Sequence, residues 1–434
     1  GFTLAFVWGE GVERVRMGWG MDVASREVCL EPGQRAEAMR LALWAGRGGW
    51  REAREMALRW LGRWDPKAPL PRMRLAAEAR LIPDVLTTIV PTFTARLLVD
   101  GVSRRALDGH VTLEAPAGIM LEPSSLFVQG LKRGVPVEHP VRVRLPDEPN
   151  GVWSGQVRLE LPLLGGAKPF HIVRLGTARE VNLRSEMREG QSVWVVENGA
   201  STFAVAPAFG PSVISWQWQG QEQLVSFFPQ PQGFSWFYPW FGGIHATVIG
   251  ERDGFVGYLH REHFSAQAVE VPDEAGIPWQ GVRLTSRLGK EMLRDFVIEL
   301  DWLTVGESPL IKLIYRVRNE RPTARSLRLS VRAMFGLGGA PTDLILQGER
   351  ETRQPTVWSS WRSNVFWGVL THRETGASVM LVSPRPRVLL LDAGQFGRLL
   401  GLGERASVPP EGIFEMVGYL ALAPTPEGAR KYCA

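Results

Sequence analysis

The sequence has few cysteines for disulfide bonds, no apolar run long enough to span a bilayer and no dense basic run that would bind a polyanion. Its two cysteines among 434 residues, Cys29 and Cys433, lie near opposite ends. They exclude a disulfide framework and any Cys-x-x-Cys motif, and we expect two unpaired thiols. No apolar run approaches the roughly 20 residues that span a membrane. The net charge is only +5 and no basic run is dense, so we expect no nucleic-acid partner.

Turn-forming residues, by contrast, are abundant: there are 47 glycines and 31 prolines. Between them lie short segments of alternating polarity, which are typical of β-strands. We predict an all-β fold with three parts. Residues 1–72 form short strands and a helix over Trp50–Trp64, residues 73–176 resemble an immunoglobulin-like sandwich, and residues 177–434 carry longer strands. The chain opens as if it continued another domain, so we expect it to be a piece of a longer protein with flanking domains as partners.

The longer strands alternate between apolar and basic residues. Residues 310–319 place Ile311, Leu313, Tyr315 and Val317 on one face. Lys312, Arg316 and Arg318 lie on the other face, which Ile314 interrupts, and Arg328 and Arg332 follow the same rule one strand later. We interpret the basic faces as solvated strand faces of half-buried antiparallel sheets. A site for an anionic sugar or phosphate is the alternative.

Residues 234–264 concentrate aromatic rings and histidines. Six of the first eight residues are aromatic: Phe234, Trp236, Phe237, Tyr238, Trp240 and Phe241. His245, His260 and His263 follow. Aromatic faces beside polar groups are what a sugar pocket needs, because rings cover the apolar side of a pyranose. The alternative is that the rings are core residues of a sandwich.

The same stretch resembles the hexose-6-phosphate 1-epimerase branch of the aldose 1-epimerase, or galactose mutarotase, superfamily. Members carry PWFG and then HGFAR, whose histidine lies in the active site. Here PWFG ends at Gly242, and the second segment is HREHF, starting at His260. The resemblance extends from about residue 180 to residue 424. It implies that residues 177–434 form a large mutarotase-like β-supersandwich.

Two family positions depart from the expected pattern. Where the family has a second histidine, in a segment such as ALHxYF, this chain has Met334. Methionine cannot transfer a proton. The family's catalytic glutamate is matched only by Glu415, through its position near the last strands. The resemblance therefore implies an incomplete epimerase site.

Candidate site residues follow from this resemblance and from residue chemistry. Mutarotation needs an acid and a base on opposite sides of the ring oxygen, roles suited to His and Glu. The catalytic candidates are His260, Glu415 and His245. The substrate-binding candidates are Trp236, Trp240, Arg261, Glu262 and His263. We expect no cofactor and no metal, since His260 and His263 would point to opposite faces of a strand unless the segment is a loop.

Three functions stay open at this stage. The first is a carbohydrate-recognition module of a larger polysaccharide-active or cell-envelope protein, with an oligosaccharide or polysaccharide as ligand. It is favoured by the number of tryptophans, among them Trp216 and Trp218, which flank Gln217 in a pattern typical of a surface strand. The second is an active epimerase or glycoside-processing enzyme. The third is a purely structural assembly of sandwiches. A secreted or cell-envelope location fits the first best.

Overall fold

The computed structural model describes residues 2–8, 12–17, 21–25, 37, 39–47, 50–62, 77–101, 106–161, 165–234, 237–249, 259–290, 293–349, 352–353, 360–392 and 397–433. The chain divides into two compact units, Gly1–Met73 and Arg74–Ala434. In the described part, no helix is long and apolar enough to cross a bilayer.

Among its described residues, the first unit has four strands and one helix: β1 (Phe2–Trp8), β2 (Val12–Met17), β3 (Met21–Ser25), β4 (Leu41–Arg47) and α1 (Trp50–Trp60). β1 pairs with β4 and β2 with β3, both antiparallel. The helix ends at Trp60 rather than at Trp64 as predicted, because Gly62 has a φ of +67°. This left-handed conformation is a common helix stop. Trp64 lies outside the described residues.

The second unit begins with a sandwich of nine short strands: β5 (Ala77–Ile82), β6 (Val85–Thr88), β7 (Thr92–Gly101), β8 (Leu107–Glu114), β9 (Met120–Glu122), β10 (Ser125–Leu131), β11 (Val137–Arg144), β12 (Gly151–Glu160) and β13 (Gly165–Arg174). Its sheets have the orders β10-β8-β12-β13-β6 and β5-β7-β11-β9. Alternate residues of each strand are buried in one core between the sheets, as in β8 with Val111 and Leu113. We call this part the small sandwich, and its immunoglobulin-like character stays a prediction.

The remaining strands are β14 (Asn182–Arg188), β15 (Gln191–Glu197), β16 (Ser201–Ala206), β17 (Ser212–Trp218), β18 (Gln221–Glu222), β19 (Gln232–Phe234), β20 (Phe237–Trp240), β21 (Ile244–Ile249), β22 (Ser265–Pro272), β23 (Pro278–Arg287), β24 (Phe296–Thr304), β25 (Leu310–Asn319), β26 (Arg325–Met334), β27 (Leu344–Gly348), β28 (Thr352–Arg353), β29 (Ser360–Val365), β30 (Trp367–His372), β31 (Ser378–Val382), β32 (Val388–Asp392), β33 (Arg398–Val408) and β34 (Ile413–Ala423). A short helix, α2 (Pro426–Arg430), follows β34. Two 3-10 turns, Leu259–Arg261 and Pro341–Asp343, precede β22 and β27.

Except for β19 and β20, which pair with each other in a separate two-stranded sheet, these strands form the large sandwich of two extended antiparallel sheets. The ten-stranded sheet has the order β14-β15-β16-β17-β21-β26-β33-β32-β29, with β18 added beside β17. The nine-stranded sheet has the order β22-β23-β24-β25-β34-β31-β30-β27-β28. One large apolar cluster, with members such as Phe203, Leu329, Trp302 and Tyr315, fills the space between them. The predicted all-β class is confirmed.

Three sequence interpretations of these strands are wrong, two because the outer faces of the sheets are also covered and one because its tryptophan lies in the core between the sheets. Lys312 is 5 % exposed. It lies in the nine-stranded sheet, whose outer face packs under a second apolar cluster that includes Val173 of the small sandwich. Arg332 is 4 % exposed on the outer face of the ten-stranded sheet. Trp216 is fully buried in the main core, and it is Gln217 that faces solvent.

Candidate functional site

The PWFGG segment turns sharply into β21 because its two glycines have no side chain. Gly242 and Gly243 have φ values of +65° and +56°. A Cβ on Gly242 would lie 2.3 Å from the carbonyl oxygen of Val225, and one on Gly243 would lie 2.2 Å from that of Val213. The backbone therefore passes against two neighbouring chain segments where any other residue would clash. This turn fixes the start of β21, and with it the position of His245.

His245 points away from the main core, to the outer face of the ten-stranded sheet. Its neighbours Ile244 and Ala246 pack in the core between the sheets, and strand residues alternate between faces. The imidazole lies edge-on to Trp240, with ring centroids 4.7 Å apart, and 6.1 Å from the ring of Phe241. The structure thus brings these three residues together, as the outer-face cluster.

Burial and a neighbouring cation hold His245 in its neutral form. The side chain is 2 % exposed, and Arg332 lies directly opposite on β26. Burial, and secondarily the positive charge of Arg332, lower the pKa of His245 to about 3. Its Nδ1 lies 3.3 Å from the carbonyl oxygen of Gly242. At neutral pH this histidine is a hydrogen-bonding group and not a proton donor with a pKa near 7.

Arg332 is itself buried beside the cluster. Its guanidinium carbon lies 6.0 Å from the centre of the Trp240 ring. Burial, with a smaller contribution from Arg328, lowers the pKa of Arg332 to about 9. The sequence pattern of β26 predicted a solvated arginine here, so this residue was missed as part of the cluster.

His260 forms the accessible end of the cluster. It is half-buried and lies on the 3-10 turn Leu259–Arg261, with its ring 5.7 Å from that of Phe241. Arg261 is exposed and its Nε donates to Nε2 of His260 at 3.3 Å. Burial, and then Arg261, lower the pKa of His260. Phe241 thus contacts both His245 and His260, which the sequence expected to face one surface.

Glu262 and His263 lie outside the outer-face cluster contacts: Glu262 stabilises a turn, and His263 is exposed. The Glu262 carboxylate accepts hydrogen bonds from the backbone N–H groups of Gly289 and Lys290, at 2.9 and 3.4 Å. It therefore holds the turn against the loop after β23. His263 is exposed and lies just past the 3-10 turn, so the strand geometry expected for it was wrong. Within the described residues, no group of three His, Cys, Asp or Glu side chains is placed to hold a metal ion.

Met334, where the sequence resemblance expects a histidine, packs against Trp240 in an apolar cluster. Met334 is 4 % exposed and packs with the fully buried Trp240 and with Leu399. Trp240 was expected to offer a ring face to a sugar, and in this structure it offers none because neighbouring side chains cover it. Trp236, the other expected platform, lies outside the described residues. Tyr238, two residues before Trp240, is instead 71 % exposed.

Glu415 lies on the opposite side of the large sandwich from His245. It belongs to β34 of the nine-stranded sheet, where its neighbour Met416 packs in the main core, so Glu415 faces outward. Its carboxylate accepts from Nε of Arg316 at 2.7 Å. Two packed sheets therefore separate this carboxylate from the outer-face cluster, and the two groups cannot act on one sugar ring.

Arg316 connects Glu415 to a buried carboxylate. Asp301 is fully buried and accepts from Nη1 of Arg316 at 2.7 Å. It also accepts two hydrogen bonds from Arg283, at 2.6 and 2.8 Å. This network crosses the strands of the nine-stranded sheet and gives Glu415 a place in a structural ion-pair network.

Comparison with known proteins finds similarity of structure only. No protein-family model and no curated protein matches the sequence. A galactose mutarotase-like protein from Clostridium acetobutylicum matches 57 % of this chain and 99 % of its own, at 12 % identity and a TM-score of 0.42. A galactose mutarotase related enzyme from Lactobacillus acidophilus matches 54 % and 98 %, at 9 % identity and a TM-score of 0.40. A TPR-domain containing protein from Parabacteroides distasonis matches 78 % and 56 %, at 10 % identity and a TM-score of 0.42.

Two of these structures bear the family name that the PWFG segment indicates. At TM-scores of 0.42 and 0.40 they carry no argument about this chain.

Proposed function

We propose that the large sandwich recognises carbohydrate at the outer-face cluster, as a binding module of a larger polysaccharide-active or cell-envelope protein. The observation that carries the proposal is the half-exposed imidazole of His260 packed on the ring of Phe241, with the exposed Arg261 at its edge. The accessible part of the imidazole, supported from below by the buried Phe241 ring, offers an aromatic surface beside a hydrogen-bond donor. This suits a pyranose, which has apolar faces and polar edges. The exposed ring of Tyr238 adds a second stacking surface near the same segment.

The arrangement argues against epimerase chemistry. Mutarotation needs a proton donor and an acceptor on the two sides of one ring, and such groups each contribute about 10²–10⁴-fold. Here Glu415 faces outward from the opposite sheet, and Met334 stands where the sequence resemblance expects the second histidine. The buried His245, with a pKa of about 3, is not protonated near neutral pH.

The test is binding to an array of neutral and anionic glycans, with polarimetry of fresh α-D-glucose and α-D-galactose run alongside. We expect saturable binding by the wild-type protein, and a loss of affinity at the outer-face cluster of about tenfold or more, roughly 1.4 kcal/mol, in His260→Ala and in Tyr238→Ala. His110→Ala is the matched control, because it removes an exposed histidine from the small sandwich. We expect no catalysed mutarotation from any of these proteins.

Two results would contradict the proposal. One is rapid mutarotation that disappears in His260→Ala, which would make the protein an enzyme with a variant site. The other is the absence of binding to every glycan by a folded wild-type protein, which would favour the structural assembly.

A further inference from the structure

A second candidate site lies where the small sandwich meets the large one. A cleft of about 400 Å³ opens there, lined on one side by the loop before β12 and on the other by the β17–β18 turn and the chain end after α2. Its volume falls in the range of about 300–1,000 Å³ typical of ligand pockets. It shares no lining residue with the outer-face cluster.

Three aromatic rings line this cleft, and each is anchored in a different apolar cluster. Trp153 packs on the core of the small sandwich, Trp218 on the main core of the large one, and Tyr432 on the cluster between the two. All three remain half-buried, so part of each ring is accessible from the cleft. Because the cores hold the rings in place, little conformational entropy would be lost when a ligand stacks on them.

The wall formed by the loop before β12 is also held firmly. Nη1 of Arg174, which is buried, donates to the carbonyl oxygens of Pro146 and Glu148 at 2.8 and 2.7 Å. Asn150 of the same loop lines the cleft. The loop therefore presents a polar group to the cleft from a fixed position.

A second cavity of about 450 Å³ continues from the first. The two share Ala200 and Gln219 in their walls, so together they form one elongated groove, which we call the junction groove. Gln219 has a φ of +52° in the hairpin turn between β17 and β18, and it is exposed at the point where the cavities meet. Amide side chains, among them Asn182 and Gln217, line the second part.

The charges along the junction groove nearly balance. Lys431 and Glu148 line the first cavity, and Arg179, Glu180 and Glu197 line the second. Arg179 and Glu197 are moreover engaged in ion pairs with neighbouring side chains. Such a lining gives a polyanion no net attraction, whereas amides and hydroxyl-sized polar groups beside aromatic rings suit uncharged hydroxyl-rich ligands.

We propose that the junction groove binds a neutral oligosaccharide in an extended conformation, with sugar rings stacked at the Trp153–Trp218–Tyr432 end and hydroxyl groups bonded by the amides at the other end. This site is separate from the outer-face cluster and does not depend on it. A chain of several pyranoses fills both cavities, while a free monosaccharide occupies only one, so longer neutral oligosaccharides bind more tightly.

The sharpest test obstructs the groove without removing any packed side chain. Ala200 is half-buried in the wall shared by the two cavities. Ala200→Phe should fill the junction, and Ala200→Ser is the matched control of similar size to the original residue. Circular dichroism and thermal melting establish that each variant is folded.

Binding is measured by calorimetric titration with the neutral hexasaccharide that ranks first on an array of linear glucans, xylans, mannans and galactans, and with the corresponding monosaccharide. The titrations are made in a His260→Ala background, so that the outer-face cluster does not contribute. There the expected result is at least about a tenfold weaker affinity, roughly 1.4 kcal/mol, when Ala200→Phe is added, and an unchanged affinity when Ala200→Ser is added.

The proposal is wrong if a folded Ala200→Phe protein binds the hexasaccharide as the wild type does, if only anionic glycans bind, or if no neutral oligosaccharide binds at all. If His260→Ala abolishes binding while Ala200→Phe has no effect, the outer-face site stands and the groove does not. If Ala200→Phe abolishes binding while His260→Ala has no effect, the groove proposal stands and the outer-face proposal is wrong.

Discussion

Replacing Trp240 by alanine distinguishes a core tryptophan from a sugar platform. The Trp240 indole is fully buried, lies edge-on to His245 and packs with Met334 and Leu399. Removing it leaves a large cavity in a rigid corner between the PWFG segment and the ten-stranded sheet. Substitutions of this kind cost about 3–5 kcal/mol. Since 1 kcal/mol shifts the melting temperature of a domain of this size by about 2–4 °C, we expect a fall of roughly 6–20 °C.

The assay is thermal unfolding followed by circular dichroism, with Trp240→Phe as the matched variant. Phenylalanine keeps an aromatic ring in the same space, so we expect a fall that is clearly smaller than that of Trp240→Ala. A melting temperature unchanged in Trp240→Ala, together with lost glycan binding, would refute the core assignment and restore Trp240 as a stacking residue.

Three further predictions concern charge. The unfolded imidazole of His245 takes up a proton below about pH 6.5 and the folded one only near pH 3. The unfolded state therefore binds more protons in this window, and stability should fall by about 2 kcal/mol between pH 6.5 and 4.5, a component that His245→Phe lacks. Asp301→Asn should cost about 3 kcal/mol in urea unfolding, the lower end for a broken buried pair, because Arg283 and Arg316 stay partly exposed. Glu415→Gln should cost only about 0–1 kcal/mol and leave glycan binding unchanged.

Each of these predictions has a clear contrary result. Equal pH dependence of stability in wild type and His245→Phe would show that the folded imidazole titrates normally. A neutral effect of Asp301→Asn would mean that the two arginines find other partners. Loss of glycan binding in Glu415→Gln would place the ligand on the nine-stranded sheet.

The strands were predictable because the alternation of apolar and polar residues is visible in a short stretch of sequence. The burial of their outer faces was not predictable, because the covering residues are distant in the sequence. The pattern of β25 correctly placed Leu313 and Tyr315 in the core. It could not reveal that Lys312 also becomes buried, because the cover includes residues of the small sandwich, more than a hundred positions away. The same limit applies to Arg332, which lies next to Trp240 of the PWFG segment.

Short motifs in the sequence led to part of the side-chain cluster that the structure shows around Phe241. PWFG and the histidine after it led to the Phe241 ring that contacts both His245 and His260. Trp216 could not be placed, because two tryptophans that flank a glutamine give the same pattern whichever face is inward. The sequence placed Glu415 near the last long strand, β34, as the structure does. Which face of the sheet its side chain lies on depends on which alternate residues of β34 point inward, and only the pairing of β34 with β25 reveals this.

The most direct measurement of the central claim is nuclear magnetic resonance of the protein with ¹³C-labelled histidine, titrated with the glycan that binds best. The titration uses the Ala200→Phe variant, in which the junction groove is blocked. The outer-face proposal predicts that the imidazole signals of His260 shift to saturation, with the same dissociation constant that calorimetry gives for this variant. His110, far along the sequence in the small sandwich, should not move. Saturable glycan binding in that variant with an unmoved His260 would contradict the proposal that carbohydrate is recognised at the outer-face cluster.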